Sequence, residues 1–349
     1  MRKGTILVTG GAGYIGSHTI VELIEAGFEV VSADNYSNSD PIAYENIKNV
    51  IEKDITHYDV DLCDRHAAGE LFKKHPNISG IIHFAAFKSV PDSVARPLVH
   101  YHNNNASLIN MVHFAKEYEI KNFIFSSSCS VYGNVGPDDL PVTEKTPIKP
   151  SESPYASTKQ MGEEMLRHFA NSTEIVKSIA LRYFNPVGAH ISGKLGELPS
   201  KIYNNLVPLI TQAAIGWRDQ LTVFGEDWDT RDGSCVRDYI HVSDIAYAHV
   251  KALIYLIENK SAPKFDIVNL GSGQGVSVIE AINSFEKSTS VKVPYKIGPR
   301  RDGDVESIYS KPEKAKTLLQ WEPKYGIDEM MESAWRWQVY MKENGYSQS

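Results

Sequence analysis

The chain has 349 residues, 42% of them hydrophobic and 23% charged, and its 36 Lys and Arg against 43 Asp and Glu leave a formal charge of −7. That composition excludes intrinsic disorder as the main state, because burial of apolar surface offsets chain entropy. The acidic balance disfavours a nucleic-acid partner. The most apolar short stretches, such as GIIHFAAF at 80–87, fall far short of the ~20 residues of a membrane-spanning helix.

The elements follow in chain order. The first apolar run, Thr5–Val8, meets glycines at 10, 11 and 13, too soon for the roughly 7–15-residue apolar core of a signal peptide. Short β-branched runs predict strands at 5–9, 29–34, 56–61, 80–85, 122–127 and 176–182. Helical patterns fill 14–26, 42–52, 64–74, 97–117 and 154–170. Such alternation predicts a parallel sheet with helices on both faces, binding ligands beyond the carboxyl ends of its strands. Past residue 183 the pattern loosens into glycine- and proline-rich sequence, and a further buried strand at 265–270 implies a return to the first sheet. The fold class expected is α/β, a doubly wound parallel sheet over 1–183, revisited around 236–270, with a smaller, interleaved α/β domain over 184–349. Cys63, Cys129 and Cys235 form no close pair, and the twelve histidines form no HExxH or Cys/His cluster. Neither a disulfide framework nor a metal is expected, and a reducing, cytoplasmic setting is.

The first strand ends in Gly10-Gly11-Ala12-Gly13-Tyr14-Ile15-Gly16, directly before a helix. In such a loop Gly10 permits the tight turn, Gly13 lets backbone approach a pyrophosphate, and Gly16 lets helix and strand pack closely. The helix N-terminus offers free N–H groups to the phosphates. Asp34 ends the second strand 18 residues after Gly16. A carboxylate there accepts from ribose hydroxyls and repels a 2′-phosphate, which favours NAD over NADP. The alternative is a glycine-rich turn with no ligand. Asp61 and Leu62 end the third strand, where an adenine edge would lie, or where Asp61 would cap the next helix. Phe84 and Ala85 close the fourth strand, and Lys88 beyond them either reaches a ribose or phosphate or is simply solvated.

Tyr155 and Lys159 form Y-x-x-x-K within a helical pattern, which puts phenol and ammonium on one face. Free tyrosine, with a pKa of about 10, is a poor base at neutral pH. A neighbouring lysine cation and a positive nicotinamide ring would stabilise the phenolate and make it a general base for a hydroxyl proton. The fifth strand leaves Ser128 at its carboxyl end, either to donate to the reacting oxygen or to cap a turn. Together these residues predict an NAD-dependent hydride-transfer site.

More specific strings accompany them: Asp34-Asn35 with Asn38-Ser39, Tyr101-His102-Asn103-Asn104, Leu181-Arg182-Tyr183-Phe184-Asn185-Pro186-Val187-Gly188-Ala189-His190, Asn204-Asn205-Leu206, Val236-Arg237-Asp238-Tyr239-Ile240-His241-Val242 and Arg300-Arg301-Asp302-Gly303-Asp304. With them nearly the whole chain resembles the extended short-chain dehydrogenase/reductase family, in its branch that epimerises UDP-sugars. The resemblance implies a Rossmann-type NAD-binding domain and a UDP-sugar domain. It implies that Ser128, Tyr155 and Lys159 are catalytic. It assigns NAD contacts to Asp34, Asn35, Asn38, Asp61, Leu62, Phe84, Ala85, Lys88, Asn103 and Tyr183 beside the glycine turn. UDP-sugar contacts fall to Lys88, Phe184, Asn185, Asn204, Asn205, Leu206, Arg237, Arg301, Asp304 and Ile308. Guanidinium pairs suit a pyrophosphate, although Arg237 with its neighbour Asp238 would also make an ordinary ion pair, and Asn185 and Asn205 would otherwise be turn residues. The implied reaction is reversible 4-epimerisation of UDP-galactose and UDP-glucose through a 4-keto sugar, with another UDP-sugar such as UDP-GlcNAc/GalNAc as the alternative.

Dehydratases and decarboxylases of that family carry an acidic residue just after the fifth-strand hydroxyl. Here those positions are Cys129 and Ser130, so elimination and decarboxylation are disfavoured. Ile308, intermediate in volume, stands where the family places a gatekeeper between plain and N-acetylated hexoses. The resemblance also implies a homodimer through the helices at 97–117 and 154–170, carrying Tyr101, Leu108, Met111, Met161, Met165 and Phe169, unless those residues face only their own sheet.

Overall fold

Ile6, Leu7 and Val8 are fully buried on successive positions. Ile6 and Val8 pack with Ile20, Ile47 and Leu253, whereas Leu7 packs with Phe72, Met111 and Leu166. Burial on both faces is the requirement of a parallel sheet sandwiched between helices. The molecule, a computed structural model, is described over residues 3–199, 205–301 and 304–346.

The strands are β1 (Thr5–Thr9), β2 (Glu29–Asp34), β3 (Thr56–Asp59), β4 (Ile78–His83), β5 (Asn122–Ser128), β6 (Lys177–Tyr183), β7 (Asn185–Val187), β8 (Leu221–Phe224), β9 (Val236–His241), β10 (Phe265–Leu270), β11 (Gly275–Ser277), β12 (Tyr295–Gly298) and β13 (Ser307–Ile308). The helices are α1 (Tyr14–Glu25), α2 (Ile42–Ile51), α3 (Arg65–Lys74), α4 (Val90–Ala95), α5 (Pro97–Glu117), α6 (Pro154–Ser172), α7 (Leu206–Ala214), α8 (Val242–Glu258), α9 (Val278–Thr289), α10 (Glu313–Leu319) and α11 (Ile327–Glu343). One seven-stranded parallel sheet runs β3-β2-β1-β4-β5-β6-β10. The order reverses between β1 and β4. The chain leaving their carboxyl ends therefore runs to opposite faces of the sheet, and a crevice opens between the connections, where a ligand binds in such folds.

β10 takes the edge beside β6, as the sequence led us to expect. The preceding strand does not. β9 joins β7, β11 and β13 in a second sheet, so the return to the first sheet begins only with α8. That second sheet, with the β8–β12 pair and helices α7, α9 and α11, surrounds its own core of Ile210, Phe285, Met330 and Met331. α4 was not read from sequence, although Ser89 accepts from the Asp92 N–H as its N-cap.

Asp238 ties the second sheet together. Its buried carboxylate accepts from Ser272 N and Oγ at 2.7 and 2.6 Å and from Ser310 N and Oγ at 3.0 and 2.7 Å. β9, the turn after β10 and the end of β13 are thereby fixed to one side chain. Asp238→Ala strands these donors. It is expected to lower stability by about 3 kcal/mol, measured as a shift in the urea midpoint, and an unchanged midpoint would show that the loops hold themselves.

Candidate active site

The crevice is a solvent-open groove lined by the glycine loop and by residues at the carboxyl ends of β2, β4, β5 and β6, where ligands bind in such folds. Gly10, with φ of +70°, turns the chain out of β1, and a Cβ there would lie 2.8 Å from Ala85 N. Gly16 abuts the loop itself, since a Cβ would lie 2.2 Å from Gly10 O. Thr9 closes the seam between β1 and β4, with its hydroxyl 2.8 Å from His83 Nδ1 and accepting from Ala85 N at 3.3 Å. Gly13 is the N-cap of α1, so the positive end of that helix faces the crevice.

Asp34 organises the far side. Its oxygens accept from Ala12 N at 3.0 Å, Tyr36 N at 3.0 Å and the Ser39 hydroxyl at 2.7 Å. Burial pushes its pKa up, and those hydrogen bonds oppose the rise. Every residue expected at the NAD site lines this one crevice: Gly10, Gly13, Tyr14, Ile15, Gly16, Asp34, Asn35, Asn38, Asp61, Leu62, Phe84, Ala85, Lys88, Asn103, Tyr155, Lys159 and Tyr183. Asp61 does not cap α3. Asp64 does, accepting from His66 N and Ala67 N, while Asp61 accepts from Cys63 N at 2.9 Å. Lys88 is not merely solvated, for its ammonium lies 2.8 Å from Glu197 Oε1. Ser37, Ser39, Val60, Cys63, Ala86, Phe87, Ser107 and Ser126 also line the crevice. Two of these were recoverable from spacing alone. Ser107 follows Asn103 by one helical turn, and Ser126 shares a strand face with Ser128.

The reacting residues sit where β5 meets α6. Ser153 caps α6 by accepting from Ala156 N at 3.2 Å. Tyr155 therefore lies in the first turn, where the helix dipole favours a negative phenolate. Lys159 follows one turn later, donating to Ser126 O at 2.7 Å, with its nitrogen 5.0 Å from the Phe125 ring centre and 5.8 Å from that of Tyr155. Ser128 caps a turn, its hydroxyl accepting from Ser130 N at 3.2 Å. The protein alone does not make Tyr155 a base. Burial drives its pKa above the ordinary value, Tyr183 adds to the rise, and the Ser128 side chain opposes it. Lys159 is lowered to about 8 by burial, with the Glu163 carboxylate opposing.

The other expected residues lie on the second sheet's side. Phe184 and Ile308 are buried in one cluster with Val131, Tyr132 and Val142, against Cys129. Asn185 opens β7, and Asn205 is the residue before α7, donating to Glu197 Oε1 at 3.3 Å. Leu206 begins α7. Asn204 lies outside the described residues. Arg237 does not pair with Asp238, because adjacent strand residues point to opposite faces. Instead Arg237 and Arg301 converge on Asp304, at 3.9 and 2.8 Å. Among the described residues no group of three His, Cys, Asp or Glu side chains is placed to hold a metal, and no helix is long and apolar enough to cross a membrane.

A family model described as GDP-mannose 4,6 dehydratase matches residues 7–334. UDP-glucose 4-epimerase of Bacillus subtilis (strain 168) is 46% identical over 341 residues, 98% of each chain. The chain belongs to the UDP-glucose 4-epimerase family, within the extended short-chain dehydrogenases/reductases. Two solved epimerase structures superpose on nearly the whole fold. The Stenotrophomonas maltophila enzyme, with bound NAD and formylated UDP-arabinopyranose, gives a TM-score of 0.93 at 40% identity, covering 98% of this chain and 99% of that one. The Bifidobacterium longum enzyme, in complex with NAD+ and UDP, gives 0.90 at 41%, with the same coverage.

Two outcomes follow from this geometry. Gly16→Ala forces the glycine loop against itself and is expected to cost about 3 kcal/mol and to release bound nicotinamide cofactor, read by urea melts and by absorbance of the purified protein. Lys159→Met removes a buried charge whose folded pKa lies below its unfolded value. The charged form is penalised below pH 8, and that penalty fades as pH rises from about 8 towards 10.5. The variant is thus expected to gain about 2 kcal/mol at pH 7 and much less at pH 10, and equal gains at both would contradict the burial account.

Proposed function

We propose that this chain is an NAD-dependent UDP-glucose 4-epimerase, interconverting UDP-galactose and UDP-glucose. The observation that carries the reading is the buried Tyr155–Lys159 pair on the wall of a dinucleotide crevice, with Ser128 at the end of the neighbouring strand β5. The residues present fit NAD: the glycine loop and α1 N-terminus would take its pyrophosphate, Asp34 a ribose, and Lys159 and Tyr183 its far end. Bound there, NAD supplies the acceptor and then the donor of the C4 hydride, and its positive ring is the charge that brings Tyr155 down from its raised pKa.

Tyr155 takes the proton of the sugar 4-hydroxyl and later returns it. Ser128 steadies the same oxygen and passes a hydrogen bond to Tyr155. Lys159 orients the cofactor side and compensates negative charge on the phenolate. The 4-keto sugar must then present its other face. Such a turn needs loose contact around the hexose and firm contact around the nucleotide. Arg237 and Arg301 would give that firm contact, exchanging Asp304 for a pyrophosphate by paired donors, with Asn185, Asn205 and Leu206 beside them. Residues 1–183 with 242–270 would hold the cofactor, and the remainder the UDP-sugar.

Elimination chemistry is disfavoured at this site. The thiol after Ser128, Cys129, is pushed up to about 12 by burial, and Ser130 is a hydroxyl, so neither is an acid suited to dehydration. Three unpaired thiols fit a cytoplasmic setting.

A homodimer also fits, through a face that keeps Met161 of the residues first suspected but not the buried ones. Leu108 and Met111 are buried in their own core, and Met165 and Phe169 pack against it, because that face of α5 and α6 closes over the sheet. The outward face exposes Leu98, Ile109 and the suspected Met161, beside Val94 of α4. Light scattering is expected to give twice the 39.0 kDa monomer mass, and Leu98→Asp to weaken the association.

Tyr155→Phe removes the proton acceptor and is expected to lower kcat by about 10³-fold with little change in KM, followed by chromatography of the two UDP-hexoses. For the sugar pocket, Ile308→Ala is expected to raise activity on UDP-GalNAc about tenfold relative to UDP-galactose. Comparable wild-type rates on both substrates would show the pocket to be wider than the packing of Ile308 against Phe184 implies.

A further inference from the structure

We propose that Glu163 is a positioning residue for catalysis: its carboxylate, clamped between Arg182 and Ser127, keeps the buried Lys159 ammonium charged and in place beside Tyr155. This rests on reading Tyr155 and Lys159 as the reacting pair. Glu163 Oε1 accepts from the Ser127 hydroxyl at 2.5 Å and from Arg182 Nε at 2.8 Å, and Oε2 accepts from Arg182 Nη2 at 2.5 Å. Both side chains of the ion pair are only 2% exposed. The guanidinium is permanently charged, so its bidentate partner is a carboxylate.

As a stabilising device such a pair is poor, since packed apolar side chains of similar volume often do as well or better. Its placement gives it a different use. Glu163 stands one helical turn after Lys159 on α6. Ser127 and Arg182 are register partners on β5 and β6. They lie beside Ser126, whose carbonyl holds the ammonium, and Ser128, which acts with Tyr155 in the proposed function. One carboxylate thus clamps α6 to the two strands that carry the site.

The groups facing Lys159 leave this carboxylate as its counter-charge. From β4, His83 is neutral, lowered to about 3 by burial and by Lys159 itself. From β5 come the Ser126 carbonyl and the Phe125 ring. From β6, Tyr183 is a neutral phenol, raised to about 12 by burial. On α6, Tyr155 is likewise raised. Burial works against the ammonium, and Glu163 opposes it. Arg182 is already engaged by Glu163, and its ring contact is to Tyr132, 4.8 Å away.

The test is an NMR titration of Lys159 in the holoenzyme carrying ¹³C-labelled lysine, the signal assigned by its absence in Lys159→Met, together with the pH–rate profile on UDP-galactose. Glu163→Gln leaves the Arg182 charge buried and unpaired, so the double variant Glu163→Met/Arg182→Met, which removes both charges, is run beside it. In either variant the Lys159 midpoint is expected to fall by about one pH unit, and the alkaline limb of kcat to move down with it while KM changes little. A Lys159 midpoint that stays at the wild-type value overturns the inference, even if the rate drops, because that is the result of a purely structural pair. Failure of the wild-type protein to convert UDP-galactose would sink the proposed function instead, and the midpoint would still decide the role of Glu163.

Discussion

A lysine ammonium buried at the end of β5 is the constraint on which the site depends. Burying a charge is costly unless partners are supplied, and the partners of Lys159 dictate much of the local architecture. The Ser126 carbonyl must lie near the carboxyl end of β5, α6 must bring Lys159 over it, and Ser153 must stop that helix from starting earlier. Once these hold, Tyr155 has nowhere to go but the crevice wall, in the first turn of the helix.

The same arrangement sets the protonation of the pair in the protein alone. Burial raises the Tyr155 phenol and lowers the Lys159 ammonium, so the protein holds the pair in its uncharged direction. A cationic ring in the crevice reverses this for the tyrosine. Chemistry is thereby tied to an occupied cofactor site, which suits an enzyme whose hydride must return to the sugar it left. Asp238 plays the complementary part on the other wall. By tying down both flanks of β9, it lets Arg237 point at Asp304 and Ile308 at Phe184.

Much of the first sheet was legible because its signals are local. Hydrophobic runs of strand length, glycines at a βα turn and Asp34 at a strand end each carry a single physical reading. β1, β2 and β10 begin and end where the sequence placed them, and the others shift by one or two residues. The second sheet was not legible, since β11 and β13 are two or three residues long and exist only through pairing with β9, a non-local event. That is also why the return to the first sheet was expected from about residue 236, where β9 begins, and not from α8. The Glu163–Arg182 pair was invisible for a related reason. A glutamate in a helix reads as a solvated charge until β6 is known to run beneath it.

The central claim is that the C4 hydride leaves and returns within one active site governed by Tyr155 and Lys159. The most direct measurement is conversion of UDP-galactose deuterated at C4 by the purified protein with no NAD added, with the product analysed by mass spectrometry and NMR. The account predicts UDP-glucose that retains deuterium at C4. Conversion with loss of the label to solvent would contradict it, as would a requirement for added NAD at every turnover.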